Sequence, residues 1–523
     1  MSAQQELKIY KLDDVAVHNK EDDCWLAIDG LVYDVTKFLN FHPAGKQVIL
    51  TYAGKDATQI FHYFHAKIVL TKYKKFVIGK IDPTELPAIK APILKFKNSF
   101  GEGIPFGDPN SVQGWFSPFY NESHHKLRAA AREWVQKEIA PYVDSWDESY
   151  NIPKELFKKA GQQGIYKAVM GKYPTNFVDN NRIFGVEIEK LDSFHEMIII
   201  EEICKPGSDG IIWGLVGGIS IGLPPILKFA SRELQQKYMR PVLEGDKLIC
   251  LAITEPWAGS DVSGIRTKAI LSEDKTHYVV TGMKKFITTA IYSDAFTVAV
   301  RTGGPGHGGI SLLVIDAKTP GVKVRKMKMQ GVWCSGTSFI TFDEVKVPVS
   351  QLIGQEGQGF NYIMQNFNHE RLTLCVESLA LARVAYEESM SYAHKRKTFG
   401  KTLISHPVIR NKIAHMVRQI ESAYALMEQV IYNFDTMNEK QSNSQLAGTI
   451  AILKAHTTQV LENVATEAVQ IHGGQGYTRG ALGGKVERIY RDTKAMTQGG
   501  GTPEILYDLG VRQASKLMPQ PRL

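Results

Sequence analysis

The chain lacks the features that mark a disulfide-bonded or nucleic-acid-binding protein. Its 523 residues include only five cysteines, with no C-x-x-C pair and no disulfide-like spacing, so a reducing compartment is expected. The 62 Lys and Arg residues exceed the 54 Asp and Glu residues, but no run of five basic residues occurs. Nucleic-acid binding is therefore not expected, whereas anionic ligands such as phosphorylated cofactors would be attracted.

Targeting and membrane signals are also sparse. Residues 1–9 have neither the layout of a signal peptide nor that of a mitochondrial presequence. The uncharged stretch 210–227 reaches only the lower limit of a membrane span and contains five glycines, so a buried helix is expected there. The C-terminal Pro521-Arg522-Leu523 is related to the S-K-L peroxisomal address. The sequence thus predicts a peroxisomal protein, with the cytoplasm as the alternative and mitochondria less favoured.

Length and hydrophobic patterning predict a multidomain α+β protein. Hydrophobic residues at 43% and charged residues at 22% are ordinary for a folded protein, which argues against disorder, collagen and coiled coil. A chain this long exceeds one hydrophobic core, and no internal repeat is visible. The predicted units are a small domain at 1–85, a Pro- and Gly-rich linker at 86–115, a helical domain at 116–240, a strand-rich domain at 241–350 and a helical domain at 351–523.

Two histidines of the first domain stand in surroundings suited to haem. His42 begins a His-Pro-Ala-Gly turn, in which the proline fixes φ and the glycine permits a tight bend. His65 follows 23 residues later. A haem iron used only for electron transfer needs two strong axial ligands, which two imidazoles provide. By itself a histidine pair is weak evidence, because most of the 15 histidines are expected at the surface or in the core.

The residues around these histidines resemble the cytochrome b5 family over residues 8–82. The resemblance implies a b-type haem whose axial ligands are His42 and His65, with His62 as a neighbour that does not bind the iron. Ala44 stands where the family usually has glycine and adds a methyl group to the turn. The alternative is a domain that kept only a binding role. The matching segments are Trp25-Leu26, Val32-Tyr33-Asp34-Val35-Thr36-Lys37-Phe38-Leu39, Ala53-Gly54-Lys55-Asp56-Ala57-Thr58 and Ile78-Gly79.

Four later blocks resemble acyl-CoA dehydrogenases, in the family's order, from about residue 118 to 515. The resemblance implies a helical domain, a β-barrel domain and a C-terminal four-helix bundle, with FAD as cofactor and an acyl-CoA as substrate. The Gly-rich segment 354–359 does not follow a strand in a βαβ unit, so it is predicted to be a loop that enters a helix. The blocks are Thr254-Glu255-Pro256-Trp257-Ala258-Gly259-Ser260-Asp261, Lys285-Phe286-Ile287-Thr288, Arg396-Lys397-Thr398-Phe399-Gly400 and Gln470-Ile471-His472-Gly473-Gly474-Gln475-Gly476-Tyr477.

The resemblance also implies which residues contact the cofactor. Thr254 would hydrogen-bond the pyrimidine edge of the flavin, Thr288 would reach its N5, and Ser260 would meet the pyrophosphate or the CoA chain. Phe286 stands where the family commonly has tryptophan, so an aromatic ring is kept but the indole N–H is lost. Further cofactor residues implied by the match are Arg396, Phe399, Gly473, Gly474 and Thr502.

Subunit association is a further implication of the match. Arg396 and Phe399 correspond to residues that touch the ADP half of the cofactor from a neighbouring subunit, so a dimer or tetramer of this chain is expected. Gly473 and Gly474 would let the backbone approach that ADP half closely.

The catalytic base departs from the commonest pattern. Many members carry the base in a Glu-Gly-Thr sequence near the C-terminus, where this chain has Gly500-Gly501-Thr502. Loss of a positioned base costs about 10²–10⁴ in rate. Members that resemble isovaleryl- and long-chain-specific dehydrogenases place the glutamate in a Glu-Arg-Leu context, which Glu370-Arg371-Leu372 matches. The resemblance predicts Glu370 as the base and Arg371 as the residue that orients it; a surface ion pair is the alternative for Glu370.

Together these features predict FAD-dependent α,β-dehydrogenation of an acyl-CoA thioester. Segment 210–227 would line the acyl pocket, and its glycines suggest room for a bulky chain. The fused haem would receive the electrons across a linker of about 30 residues, which spans at most about 100 Å. An electron-acceptor protein is a further expected partner. The alternatives are a peroxisomal acyl-CoA oxidase that uses oxygen and a non-catalytic haem- and acyl-CoA-binding protein.

Overall fold

The computed structural model describes residues 7–65, 68–85, 103–170, 177, 179, 181–438 and 441–518. Most of the predicted linker, residues 86–102, and the C-terminal tripeptide lie outside these ranges. The described chain forms a small α+β domain, then a helical domain, a β domain and a second helical domain, which confirms the predicted fold class.

The first domain packs short helices against a five-stranded sheet in the order β1-β5-β4-β3-β2. Only the β1–β5 pair is parallel. Leu26 and Ile28 face one buried cluster while Ala27 faces another, so both faces of β3 are covered and its sequence is apolar from Cys24 to Ile28. The elements are β1 (Lys8–Tyr10), α1 (Leu12–Ala16), β2 (Asn19–Lys20), β3 (Asp23–Ile28), β4 (Leu31–Asp34), α2 (Lys46–Leu50), α3 (Thr58–Phe64), α4 (Ile68–Lys72) and β5 (Val77–Ile81).

Residues 103–115 are packed against the larger module, although their composition suggested a linker. Asp108 is 4% exposed and forms ion pairs with Arg132 and Lys205. Burial alone would raise the pKa of this carboxyl, but the two cations hold it well below its ordinary value. The Tyr386 hydroxyl also donates a hydrogen bond to the Pro105 carbonyl at 2.8 Å. The predicted linker therefore extended too far, because prolines and glycines here build anchored turns.

The first helical domain is organised by buried ion pairs between two of its helices. Arg128 and Arg132 on α5 pair with Glu201 and Glu202 on α9, so charges in the interior are compensated. The helices are α5 (Glu122–Glu138), α6 (Val143–Ser149), α7 (Lys154–Gln163), α8 (Ile165–Ala168), α9 (Ser193–Cys204), α10 (Asp209–Ile212), α11 (Gly218–Gly222), α12 (Pro224–Phe229) and α13 (Arg232–Leu243), with a hairpin of β6 (Arg182–Ile183) and β7 (Val186–Glu187).

The helical stretch Asp209–Phe229 contains the apolar segment noted in the sequence. By length and composition it could cross a membrane, but 78% of its most apolar window is buried inside the protein. Residues 213–217 form a π-helical turn in the middle of the stretch. It is a core helix, as predicted, and it lies between the β domain and the C-terminal helices.

The β domain is an eight-stranded sheet with a core of its own. Its strand order is β13-β14-β10-β9-β11-β12-β15, and β8 pairs with β11 in parallel. On β11, Phe296 and Val298 face this core, whereas the Thr297 hydroxyl on the other side donates to the Gly222 carbonyl at 2.7 Å. The strands are β8 (Ile249–Ala252), β9 (Lys268–Leu271), β10 (His277–Ile287), β11 (Ala295–Arg301), β12 (Ile310–Asp316), β13 (Val322–Lys326), β14 (Ser338–Pro348) and β15 (Leu352–Ile353).

Long helices form the C-terminal domain. The first of them begins at Gly359, the last residue of the Gly-rich segment 354–359. Because β15 pairs antiparallel with β12, the segment is a helix entrance, as predicted, and not part of a βαβ unit. The elements are α14 (Gly359–Lys395), β16 (Lys397–Thr398), β17 (Lys401–Thr402), α15 (Pro407–Thr436), α16 (Ala447–His472), α17 (Gly484–Gln498) and α18 (Pro503–Lys516).

Candidate functional sites

An apolar cavity of about 290 Å³ opens between the sheet and the helices of the first domain. His42 and His65 both line it, with their ring centres 6.0 Å apart. When two imidazoles bind the same metal ion from opposite sides, each through a nitrogen about 2 Å from the metal, their ring centres lie about 6 Å apart. The walls include Leu26, Val35, Phe38, Ile49, Phe61, Leu70 and Phe76. An apolar cavity with two opposed imidazoles fits a haem with two axial histidines.

The turn after His42 fixes the orientation of its ring. Nδ1 of His42 lies 3.2 Å from the Gly45 carbonyl, so Nδ1 carries the proton and Nε2 is left as the metal-binding nitrogen. Gly45 has φ +82°, a conformation that favours glycine. Ala44 is exposed and is not among the residues with positive φ. Its methyl group therefore lies at the surface, in a backbone conformation that alanine adopts without strain.

The structure separates the two histidines that could oppose His42. His65 follows the last residue of α3 and faces the cavity. Burial lowers its pKa, and the neighbouring His42 adds to the effect, so the ring is neutral and able to bind a metal. His62 is instead hydrogen-bonded through Nε2 to the Asp29 carboxylate at 2.8 Å. In this geometry His65, and not His62, therefore lies opposite His42.

In the larger module, a buried carboxylate shapes the turn that carries Thr254 and Ser260. Glu255 is 2% exposed and accepts hydrogen bonds from the backbone N–H groups of Arg266 and Thr267, at 2.6 and 2.9 Å. It also accepts one from the Trp257 indole at 2.7 Å. These four residues hold the turn in a single conformation, which leaves the exposed Ser260 accessible to a ligand.

The same carboxylate binds the turn to β10. Lys284 on β10 is fully buried and its Nζ lies 2.8 Å from Glu255. Burial lowers the pKa of Lys284 to about 8 although Glu255 opposes this shift. Burial would raise the pKa of Glu255, but Lys284 brings it below the ordinary value. Because the Lys285 N–H donates to the Thr254 carbonyl at 2.8 Å, Thr254 lies beside the end of β10.

The chain at the end of β10 has an unusual backbone around the residues assigned to the flavin. Phe286 and Thr289 have φ of +63° and +66°, which is costly for residues with a side chain and typical of functional sites. Phe286 is 47% exposed. Thr288 stands between them with its methyl carbon 3.8 Å from where a Cβ on Gly217 would lie. The structure thus brings Thr254, Phe286 and Thr288 to one edge, which faces the core helix.

Glu370 lies on α14 and keeps an unpaired carboxylate oxygen in the interior. Among the described residues, its buried Oε2 has no hydrogen-bond partner. Burial raises its pKa, and the nearby cations Arg371 and Lys454 reduce that rise. A buried group without a partner requires an explanation, and a carboxylate with a perturbed pKa is a candidate for proton transfer. This environment disagrees with the alternative of a surface ion pair.

The backbone of the loop after α17 favours glycine at position 500. Gly500 has φ +66°, and a Cβ there would come within 2.6 Å of Leu374 Cδ1. The loop is held by Arg371, whose Nε donates to the Gly500 carbonyl at 3.1 Å, and by Lys454, whose Nζ donates to the Gly501 carbonyl at 2.8 Å. Arg371 was predicted to orient the base; its hydrogen bond is made to this loop.

The remaining residues assigned to the cofactor meet at one end of the helical bundle. Phe399 and Gly400 form the tip of the β16–β17 hairpin with φ of +50° and +75°, and Phe399 is 94% exposed. Open space lies in front of Gly473 and Gly474, where an added Cβ would meet nothing within 4 Å. Stacking of Tyr392 on His472 at 4.4 Å places the hairpin base at Arg396 next to these glycines. Thr502 occupies the N-cap position of α18, without a side-chain capping hydrogen bond.

A second buried glutamate, which the sequence analysis did not single out, lies on the same helix as Glu370. Glu377 is 2% exposed and accepts a hydrogen bond from the Trp213 indole at 3.2 Å. Burial raises the pKa of this carboxyl to about 8, although the hydrogen bond from Trp213 opposes the rise. The nearby Glu370 adds to the rise. The signal was its place seven residues after Glu370, which is two helical turns and therefore the same face.

Comparison with protein-family models divides the chain in agreement with its fold. Residues 11–82 match the cytochrome b5-like haem/steroid binding domain. The next three matches are to acyl-CoA dehydrogenase domains: the N-terminal domain at residues 121–246, the middle domain at 250–345 and the C-terminal domain at 357–514.

Individual proteins resemble the larger module over nearly their whole length. The acyl-CoA dehydrogenase apdG of Emericella nidulans is 40% identical over 79% of this chain and 96% of the relative. The acyl-CoA dehydrogenase AFT10-1 of Alternaria alternata is 36% identical over 80% of this chain and 97% of the relative. The crystal structure of acyl-CoA dehydrogenase from Geobacillus kaustophilus superposes with a TM-score of 0.69 at 30% identity, over 76% of this chain and all of that one.

Proposed function

The chain belongs to the acyl-CoA dehydrogenase family and carries a cytochrome b5-like domain at its N-terminus, and from this we propose that Glu370 is its base and that its electrons leave through a haem. The module from residue 116 onward performs FAD-dependent α,β-dehydrogenation of an acyl-CoA thioester. What the proposal adds is the identity of the base, the haem ligands and the route of the electrons.

Glu370 takes the α-proton of the bound thioester. Its Oε2 is buried and has no hydrogen-bond partner among the described residues, so it is free to accept a proton. Burial raises the pKa of this carboxyl, which brings it closer to the value expected of an efficient general base near neutral pH. Bound FAD would supply the acceptor for the β-hydride. The observation that carries this proposal is the unpaired oxygen of Glu370 beside a loop that has glycine at position 500.

Other residues of the chain orient and enclose the reactants. Arg371 and Lys454 hold the 499–502 loop through its carbonyl groups and place positive charge next to the base. Thr254 and Thr288 stand together at the edge assigned to the flavin ring. The Glu255–Lys284 pair fixes that edge, because a buried ion pair with satisfied hydrogen bonds resists displacement.

The first domain would hold haem b through His42 and His65. The cavity, the ring spacing of 6.0 Å and the hydrogen bond that frees Nε2 of His42 support this ligand pair. Two histidine ligands leave no open position for oxygen on the iron, so the bound haem would carry electrons one at a time. The further partner is then whichever acceptor oxidises this haem.

A homo-oligomer would complete the cofactor site. Phe399 is 94% and Tyr477 is 87% exposed, and both stand at the bundle end with Arg396 and Gly473. Large aromatic side chains in such a cluster are typical of surfaces that meet another protein. A second copy of the chain is the partner whose cofactor these residues would reach. Sedimentation of the Phe399→Asp variant should reveal a smaller assembly that has lost FAD.

A peroxisomal location is part of the proposal and depends on Pro521-Arg522-Leu523. This tripeptide lies outside the described residues. A fluorescent protein fused to the N-terminus of the full chain should enter peroxisomes, and deletion of the three residues should leave it in the cytoplasm. Retention of the deleted form in peroxisomes would refute the assignment.

The central experiment separates the two halves of the electron path. Anaerobic mixing of the full chain with a panel of acyl-CoAs should bleach the flavin first and then reduce the haem. Glu370→Gln should slow flavin bleaching by about 10²–10⁴, while Glu122→Gln, at an exposed ion pair, should leave it unchanged. His65→Ala should leave bleaching intact and abolish haem reduction. If a substrate bleaches the flavin but never reduces the haem, the proposed electron route is wrong; equal amounts of peroxide and enoyl-CoA in air would favour the oxidase.

A further inference from the structure

The helix that carries the base also carries a second buried carboxyl group two turns further on. Seven residues separate Glu370 from Glu377, which corresponds to about 10 Å along the axis of α14. The two side chains share one face of the helix. Glu377 makes a hydrogen bond with the indole of Trp213, which projects from the core helix 209–229. The pair therefore links the helix of the base to the helix predicted to line the acyl pocket.

The indole of Trp213 spans the cleft between these helices and the loop at position 500. At one edge its Nε1 donates to Glu377. At the other edge, ring carbons lie 3.1 and 3.4 Å from where a Cβ on Gly499 would stand. The Trp213 carbonyl accepts a hydrogen bond from the Thr289 hydroxyl at 3.0 Å, so the backbone is fixed as well. The ring is thus held between α14, the core helix and the loop.

A residue without a side chain lies next to both Trp213 and Thr288. One turn after Trp213, position 217 is a glycine, and the atom nearest to an added Cβ would be Thr288 Cγ2 at 3.8 Å. Thr288 belongs to the edge assigned to the flavin. An acyl chain that enters between Glu370 and Thr288 and runs inward along α14 would therefore meet the Trp213 ring.

The far side of the ring is polar. Asp209, one helical turn before Trp213, is fully buried, and both of its carboxylate oxygens have no hydrogen-bond partner among the described residues. Burial raises its pKa well above the ordinary value and Glu377 adds to the rise. An acyl chain that passed the ring would meet these two acids. The indole would consequently separate the acyl chain from these buried acids, and an apolar chain would gain nothing by displacing it.

We propose that Trp213 closes the inner end of the acyl site and limits the length of chain that the enzyme accepts, with Glu377 as the positioning residue that holds the indole in place. The inference rests on the proposed role of Glu370, because chain length is counted from the carbon that this base deprotonates. An extended chain advances about 3.8 Å per three bonds. The distance of about 10 Å along α14 therefore admits roughly eight bonds beyond the α-carbon.

The test compares kcat/KM over saturated acyl-CoAs from butyryl-CoA to palmitoyl-CoA. The wild type should lose efficiency steeply beyond about ten carbons. Trp213→Ala should move this loss to longer chains, with a gain of about 4-fold for each methylene group newly accommodated. Trp213→Phe, which shortens the ring and is less disruptive to folding, should give a smaller shift in the same direction. Trp115→Ala, at an exposed tryptophan, is the control and should leave the profile unchanged.

Variants of Glu377 test its positioning role. Glu377→Gln retains an oxygen that can accept from the indole and should keep the wild-type chain-length profile. Glu377→Leu removes the acceptor and should broaden the profile toward longer chains, mainly through a lower KM for them. A role in stability alone would lower kcat/KM for all chain lengths equally. Identical profiles for the wild type and both Trp213 variants would overturn the proposal.

Binding measurements separate a failure here from a failure of the proposed base. In a Glu370→Gln background, calorimetric Kd values for the same acyl-CoAs should show the same length limit and the same shift with Trp213→Ala. If Glu370→Gln turns over normally, Glu370 is not the base, but the Kd profile still tests whether Trp213 closes the acyl site. If Glu370 is the base and the Kd profile is flat from butyryl-CoA to palmitoyl-CoA, Trp213 does not limit the length of the acyl chain.

Discussion

Placing a glutamate at position 500 tests whether local backbone geometry excludes the base from that loop. The site has φ +66°, and a Cβ there would lie 2.6 Å from Leu374 Cδ1. A residue with a side chain costs about 1–2 kcal/mol in the left-handed region. The end of the Leu374 side chain would have to move, at an additional cost of about 1 kcal/mol. Gly500→Glu should therefore lower the free energy of unfolding by about 2–3 kcal/mol.

The same substitution should not restore activity to a protein that lacks its base. The new side chain would begin about 3.8 Å from Arg371 Cγ and Lys454 Cε, so its carboxylate would be attracted to these cations and drawn away from the substrate. We expect Glu370→Gln/Gly500→Glu to reduce flavin no faster than Glu370→Gln. Adding Leu374→Ala should relieve the contact and recover part of the stability.

Urea unfolding and anaerobic flavin reduction are the two assays for this prediction. Gly500→Ala isolates the effect of the backbone and the Cβ from that of the charge. Gly308→Ala, where a Cβ meets nothing within 4 Å and φ is not left-handed, should have little effect on stability. The reasoning would be refuted by a Gly500→Glu variant as stable as the wild type, or by a double variant within tenfold of wild-type flavin reduction.

Three further predictions concern charge, haem ligation and pH. Lys284→Met leaves Glu255 buried without its cation and should cost about 3–5 kcal/mol of stability and weaken FAD binding; Lys284→Met/Glu255→Gln should recover part of both, as measured by urea unfolding and flavin content. His62→Ala should retain the haem absorbance of the full chain and His65→Ala should lose it, whereas the reverse result would exchange the two ligands. The pKa of Glu377 is raised to about 8 in the folded protein, above the ordinary value near 4.5 that applies on unfolding, so the folded state keeps this proton where the unfolded chain releases it. Its contribution to the free energy of unfolding is therefore fully present below about pH 4.5 and falls as pH rises to about 8; Glu377→Gln should show a weaker decline over that range in urea titrations, and an identical decline would contradict the shift.

Most of the architecture could be predicted because local sequence signals and tertiary structure agree. The β11 sequence is apolar at almost every position, and the strand is buried on both faces. The Gly-rich segment before α14 lacked a preceding parallel strand, and it is indeed a helix entrance. Glu370 stood in a recognisable sequence context, and the structure gives it a buried, unpaired oxygen.

What the sequence could not predict depends on contacts between distant positions. Trp213 and Glu377 are 164 residues apart, and neither stands in a motif, so only the folded chain shows that they meet. The positive φ of Gly500 is likewise invisible in a sequence, where a glycine only permits such a conformation. Composition was misleading at 103–115, because prolines and glycines build anchored turns as readily as free linkers once a buried charge such as Asp108 finds its partners.

If the first domain holds the proposed haem, the anchoring of residues 103–115 also limits how far that haem can lie from the flavin site. Only 17 residues remain between Glu85 and Gly103, and no conformation of them can extend much beyond about 60 Å. A sphere of that radius has about one fifth of the volume allowed by a tether of about 100 Å, and one haem inside it amounts to roughly 2 mM. An acceptor in free solution that reacts equally well at the flavin would need a comparable concentration to intercept half of the electrons.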